Sequence, residues 1–303
     1  ASYQIEGAYL EDGKGENIWD AYCQESGHVA HGENGNVACD HYHLFREDVK
    51  MMQKMGIKNY RFSISWTRIL PDGTGAVNQK GIQFYSDLVD ALLEAGITPM
   101  VTLFHWDYPY ALHQKGGWLN PDSSDWFVDY AKVVVDALSD RVTYWMTINE
   151  PQVFIGCGYA IGKFAPFQKL PARDLAQMSH NVLLAHGKTV KMIRECAKKT
   201  PKIGFAFSTP CTTPTDNSPL AIEIARQKSF AFTRERFTFE TAWWADPIFL
   251  GDYPQDAYSI LKSDMPNIKE GDMELISQPV DFYGVNIYYS QAEENPNAYV
   301  END

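Results

Sequence analysis

The sequence predicts an α/β fold whose parallel strands curl into a (β/α)₈ barrel. Helical and strand-like patterns alternate along the chain, the order that right-handed βαβ crossovers produce. A helix, glycine, strand unit repeats at an offset of 40 residues, seen in Gly56 and Gly96 and again in Trp66 and Trp106. Polar or aromatic residues stand at the C-terminal end of almost every strand run: Arg61 and Trp66, His105 and Trp106, Asn149 and Glu150, Asn286 and Tyr288. Such groups converging from many strands make the mouth of a barrel, whereas an open doubly wound sheet gathers them at one switch point. The chain carries no glycine-rich dinucleotide turn.

Taken in order, Ala1 to Ile5 reads as a short strand stub. Phe45, Val49, Met52 and Met55 then share one face of a helix, and Ile82, Tyr85, Val89 and Leu92 share one face of the next. A glycine closing each helix before an apolar run is the signature of a left-handed cap followed by a strand. Asn59 to Trp66 and Thr98 to Trp106 are those strands. Their near-continuous apolarity suits strands covered on both faces. Helical stretches at Ser124 to Leu138 and Leu175 to Ala197 precede strands at Val142 to Glu150 and Lys202 to Ser208. A helical region from Leu220 leads to a strand at Asp281 to Tyr289. With the stub, about six of eight barrel strands are expected in one domain over residues 1–303. Asp107 to Asp122 and Pro151 to Arg173 become loops over the mouth.

Composition narrows the function. Thirty-nine acidic residues against 26 basic ones leave a net charge of −13, which repels phosphate backbones and argues against a nucleic-acid partner. No window approaches the length of apolar run that spans a bilayer, and no basic-then-apolar leader opens the chain, so a cytoplasmic protein without a membrane partner is expected. Five cysteines at irregular spacing, without a CxxC pair, read as reduced thiols. Aromatic residues make up 14% of the chain, and their rings serve cores and flat sugar faces alike.

Several candidates carry chemistry. Glu150, emerging from a strand end among Trp106 and Trp145, reads as a general acid with a raised pKa, or as a capping or ion-paired glutamate. Arg61 inside an apolar run implies a carboxylate partner, catalytic or structural. His105 suits a proton donor, a metal ligand or a group binding hydroxyls. No metal is expected: HxxxH is absent, and His41 and His43 fall on different faces of a helix. Gly187-Lys188-Thr189 imitates a phosphate loop, yet Val182 stands where that loop needs glycine. No nucleophile elbow or Cys-His pattern occurs, and no cofactor is implied. Carboxylate chemistry remains.

Ordered strings then identify a family. ASYQIEG (Ala1 to Gly7), YRFSISW (Tyr60 to Trp66), FHWD (Phe104 to Asp107), TINEP (Thr147 to Pro151) and GVNIYYS (Gly284 to Ser290) resemble the signatures of glycoside hydrolase family 1, the β-glucosidase family. CDHYH, GGWLN and LLAHG add to the match. The resemblance implies a (β/α)₈ barrel hydrolysing terminal β-linked glucosyl or galactosyl residues with retention of configuration. It makes Glu150 the acid/base. Gln4, His105, Trp106, Asn149 and Asn286 become sugar-binding residues, with Asn149 at the 2-hydroxyl, while Arg61 and Tyr288 touch the nucleophile.

Departures from the family pattern are Leu44 in place of a common Arg, Ile287 in place of Tyr, and Phe167 in place of Gly. The family's second carboxylate lies in a TENG string on the seventh strand, and no such string occurs before Asp303. The resemblance therefore implies a domain truncated at both ends, with the nucleophile outside these residues and the 303-residue chain inactive alone. A complementary C-terminal segment or self-association would cover the open sheet. A sugar- or partner-binding pseudo-glycosidase and a phospho-β-glucosidase are the competing readings.

Overall fold

A computed structural model describes residues 2–25, 27–209, 211–288 and 290–293. The chain runs through α1 (Ser2–Ile5), α2 (Ile18–Cys23), α3 (His41–Lys54), β1 (Asn59–Ser63), α4 (Trp66–Ile69), α5 (Gln79–Glu94) and β2 (Thr98–Phe104). It continues with α6 (Tyr110–His113), α7 (Ser123–Leu138), β3 (Tyr144–Asn149), α8 (Pro151–Ile155), α9 (Ala172–Cys196), β4 (Lys202–Ser208) and β5 (Cys211–Pro214). The last elements are α10 (Pro219–Ser229), α11 (Thr241–Phe249), α12 (Gln255–Leu261), α13 (Asp272–Ile276), β6 (Phe282–Asn286) and β7 (Ser290–Glu293).

Five strands form one parallel sheet in the order β1-β2-β3-β4-β6, and β5 pairs with β7 in a separate parallel ladder. The arrangement is an incomplete (β/α)₈ barrel, with β1 and β6 at the two edges of the sheet among the described residues. Register places Arg61 beside Met100, Thr102 beside Met146, and Ser208 beside Asn286. Side chains alternate across the sheet. Val101, Leu103, Trp145, Ile203, Phe205 and Phe207 are buried in the hydrophobic core, together with Leu88 and Val89 of α5, Val134 of α7, and Val182 and Val190 of α9. Inside, Gly204 leaves room for a ring: a Cβ there would lie 2.3 Å from Phe282.

The repeated unit has a physical basis in its caps. Gly56 and Gly96 adopt φ of 76° and 73°. Gly56 N–H donates to Gln53 O (3.0 Å) and Ile57 N–H to Met52 O (3.1 Å). Gly96 N–H donates to Leu93 O (3.0 Å) and Ile97 N–H to Leu92 O (2.9 Å). Both are Schellman closures that satisfy the last carbonyls and turn the chain back toward the sheet. Met55, expected on the buried face of α3, is the C-cap residue and is 70% exposed, because the chain reverses immediately after it.

Two expectations are corrected. The proposed strand stub at Ala1 to Ile5 is helical from Ser2: Glu6 N–H donates to Ser2 O (2.9 Å), and Ser2 N–H is taken by the Ser63 hydroxyl (2.7 Å) rather than by a neighbouring strand. Among the described residues the main sheet thus has five of the six expected strands. The spans read as loops contain helical turns at Tyr110–His113, Pro151–Ile155 and Gly156–Ala160. Pro151 ends β3 as expected but also opens α8, where its missing N–H costs nothing. Tyr289 lies outside the described residues.

Candidate active site

The C-terminal rim of the sheet assembles the site. Arg61 projects from β1, His105 and Trp106 follow β2, Asn149 closes β3, and Asn286 closes β6. Glu150 sits one residue beyond β3, only 2% exposed, and its N–H still donates to Ala206 O (2.7 Å) in the manner of a strand. Its φ of 46°, and the 82° of Trp106, place two non-glycine residues in the left-handed region. Each such torsion costs about 1–3 kcal/mol and persists only where the surroundings enforce it. Trp106 is held by its indole N–H, which donates to Asn149 O (3.0 Å).

The polar contacts form one network. Glu150 Oε1 accepts from Asn286 Nδ2 (2.8 Å) and from the Tyr288 hydroxyl (3.3 Å). Asn149 Oδ1 accepts from Asn286 Nδ2 (3.0 Å) and from Arg61 Nη2. Arg61 also donates through Nη1 to Asn286 Oδ1 (3.3 Å) and through Nε to Thr102 Oγ1 (2.9 Å). Because guanidinium only donates, the Asn149 oxygen must face Arg61 and its amide nitrogen must face His105 Nε2 (3.1 Å). His105 is therefore the acceptor there, which requires a neutral ring. Burial, with the nearby Arg61 charge, holds its pKa well below the usual imidazole range. Burial also lowers Arg61, against the raising influence of Glu150 and Tyr288, and burial beside Glu150 raises the Tyr288 phenol.

Among the described residues the Arg61 bonds go to neutral oxygens of Thr102, Asn149 and Asn286, and the carboxylate partner expected for it, the family's nucleophile, is not among them. Amide and hydroxyl oxygens satisfy the buried donors, and Glu150 supplies the nearby negative charge. Seven of the eight sequence-derived residues thus meet in one place. Gln4 stands apart from the network, exposed on α1. That helix is nevertheless tied to the rim through the Ser2 hydroxyl, which donates to Asp107 Oδ2 (2.8 Å).

Two residues escaped the sequence reading. Thr102 was hidden by its place in an apolar strand, and Arg61's need for an acceptor on the neighbouring strand was the available signal. Gln152, 2% exposed with its Nε2 unpartnered, lines a cavity of about 230 Å³ together with Ser208, Phe239, Glu240, Asn286 and Tyr288. Its signal was its position two residues after Glu150. Among the departures, Phe167 adopts φ 58°, a backbone that suits the family's glycine, and stacks on His28 with ring centroids 4.2 Å apart. Leu44 is 43% exposed and Ile287 is 59% exposed. His41 pairs with Asp48 and His43 with Asp40 and Glu11, so neither imidazole faces the other.

The Glu150 carboxylate is thus buried at a barrel rim within a network of Arg, Asn, His and Tyr side chains. The model for glycosyl hydrolase family 1 matches residues 1–302. The chain belongs to this family. It is 45% identical over 293 residues to "Beta-glucosidase A" of Acetivibrio thermocellus, covering 96% of this chain and 63% of that protein. It is 43% identical over 288 residues to "1,4-beta-D-glucan glucohydrolase" of Thermotoga neapolitana, covering 95% and 66% respectively. Among solved structures, the Thermotoga maritima β-glucosidase in complex with deoxynojirimycin superposes with a TM-score of 0.86 at 41% identity, covering 96% of this chain and 64% of that one. The chain thus spans just under two thirds of the length of these relatives. Among the described residues, no helix is long and apolar enough to cross a membrane.

Proposed function

We propose that this family 1 chain serves a retaining β-glucosidase, with Glu150 as the acid/base that protonates the leaving oxygen and later activates water. The observation that carries the reading is the buried Glu150 carboxylate, fixed at the strand end by Asn286 and Tyr288. In such hydrolysis a second carboxyl group about 5–5.5 Å away attacks the anomeric carbon, and a glycosyl-enzyme forms. Arg61 and Tyr288 are the groups suited to contact that second carboxylate. Asn149, His105, Trp106, Asn286 and Gln4 are assigned to the sugar. The relatives' names support β-glucosides as the substrate class.

The test uses the intact protein. Glu150→Gln should lower hydrolysis of an aryl β-glucoside with a poor leaving group by about 10²–10⁴-fold, the usual worth of general acid catalysis. A dinitrophenyl glucoside, whose departure needs no proton, should still glycosylate the enzyme. Azide, needing no general base, should then restore turnover and yield the β-glucosyl azide. Unchanged hydrolysis of the poor-leaving-group substrate in Glu150→Gln would overturn the assignment.

A further inference from the structure

We propose that Thr102 is a positioning residue for the reaction: its hydroxyl accepts the Nε–H of Arg61 and sets the plane of the guanidinium that reaches Asn149 and Asn286. The inference rests on the function proposed above but concerns a different residue on a different strand. Thr102 is fully buried on β2, in the run Thr98–Phe104, where valine would fill the same volume without a polar atom to satisfy. Its hydroxyl reaches Met146 Sδ at 3.9 Å, a weak acceptor, while its oxygen lies 2.9 Å from Arg61 Nε. The strong interaction of this hydroxyl is therefore the one with Arg61.

Register explains the geometry. Arg61 lies beside Met100, so Thr102 is one inward-facing step further along β2, toward the rim. Bonding there draws the arginine side chain up the barrel. A guanidinium is planar, so anchoring Nε leaves little freedom for the two Nη groups. Nη2 then meets Asn149 Oδ1 and Nη1 meets Asn286 Oδ1. Both amides belong to the network around Glu150, and Asn286 donates to it directly. Thr102 touches neither Glu150 nor, on this reading, the sugar. It acts through Arg61.

Thr102→Val, Thr102→Ser and Arg61→Lys should be compared in the intact protein by kcat, KM and Tm on one aryl β-glucoside. Thr102→Val is expected to lower kcat by roughly ten- to a hundredfold, the scale of a sub-ångström to ångström misplacement, with KM changing far less. Thr102→Ser, which keeps the oxygen, should recover most of the loss. Arg61→Lys keeps the charge but lacks Nε, so adding Thr102→Val to it should cost little more. Equal kcat values for Thr102→Val and Thr102→Ser would overturn the proposal, as would full additivity with Arg61→Lys. If Thr102→Val fails to fold, Thr102→Ala takes its place in the same cycle, with the same two refuting outcomes. Glu150→Gln, assayed alongside, separates the two readings: its loss of activity with an unaffected Thr102→Val rejects the positioning role alone.

Discussion

Acid should weaken the fold through His186, and the effect can be isolated. The ring lies on α9, fully buried, with Nδ1 2.7 Å from Thr147 Oγ1 and Nε2 unpartnered. Phe205 packs on it edge-on at 4.9 Å between centroids. Burial pushes its pKa down from 6.5 to about 3. Above pH 6.5 the imidazole is neutral in both states and adds no pH dependence. Between 6.5 and about 3 the unfolded chain takes a proton that the folded one refuses, so stability falls by about 1.4 kcal/mol per pH unit, or roughly 5 kcal/mol over the whole interval. Below about 3 the folded ring is protonated as well, and the loss levels off. His186→Leu removes the titration and leaves the Thr147 hydroxyl short of one partner, a penalty of about 1 kcal/mol at neutral pH. Denaturation midpoints of parent and variant, measured from pH 7.5 to 4, should start with the variant slightly lower and converge or cross on acidification. Parallel curves would show that His186 does not carry the acid sensitivity, because buried His105, His113 and His180 remain in both proteins.

The buried Arg68–Glu6 pair, 3.0 Å apart and joined by Tyr85 OH on Glu6 Oε1 at 2.5 Å, should behave asymmetrically. Arg68→Met alone strands a carboxylate and should cost about 3–5 kcal/mol, while adding Glu6→Leu should recover part of it; a double variant no more stable than the single one in urea denaturation contradicts this. Gly56→Ala and Gly96→Ala meet no atom within 4 Å, so the left-handed backbone alone should cost about 1–2 kcal/mol each, read as a lowered Tm, and a null effect would show that the caps are relaxed.

The barrel was legible in the sequence wherever one physical cause dominated. Glycine caps at 56 and 96 mark helix ends because their backbone conformation strongly favours glycine, and strands buried on both faces declare themselves by unbroken apolarity. Polar residues at strand ends exposed the rim for the same reason: Asn149 and Glu150 make no sense in a core. Short segments were harder. Ser2–Ile5 offers too few residues for either period to show, and its choice of helix depends on Ser63 and Asp107, which are distant in sequence. Arg61's demand for acceptors was visible, but that Thr102, Asn149 and Asn286 would supply three of them depended on side chains from β2, β3 and β6 arriving together. Thr102 was invisible alone, since threonine suits a strand without any further reason.

The left-handed torsions at Trp106 and Glu150 bear on how the protein ages under heat. A wound spring stays wound only while its housing is stiff, and these two positions rely on Pro151, the Ala206 carbonyl and the indole tether to stay where they are. Local opening takes less free energy than melting a sheet, so Glu150 and Trp106 should leave their places before the strands unfold, and under the function proposed above turnover would fade on warming before any spectroscopic signal of the backbone.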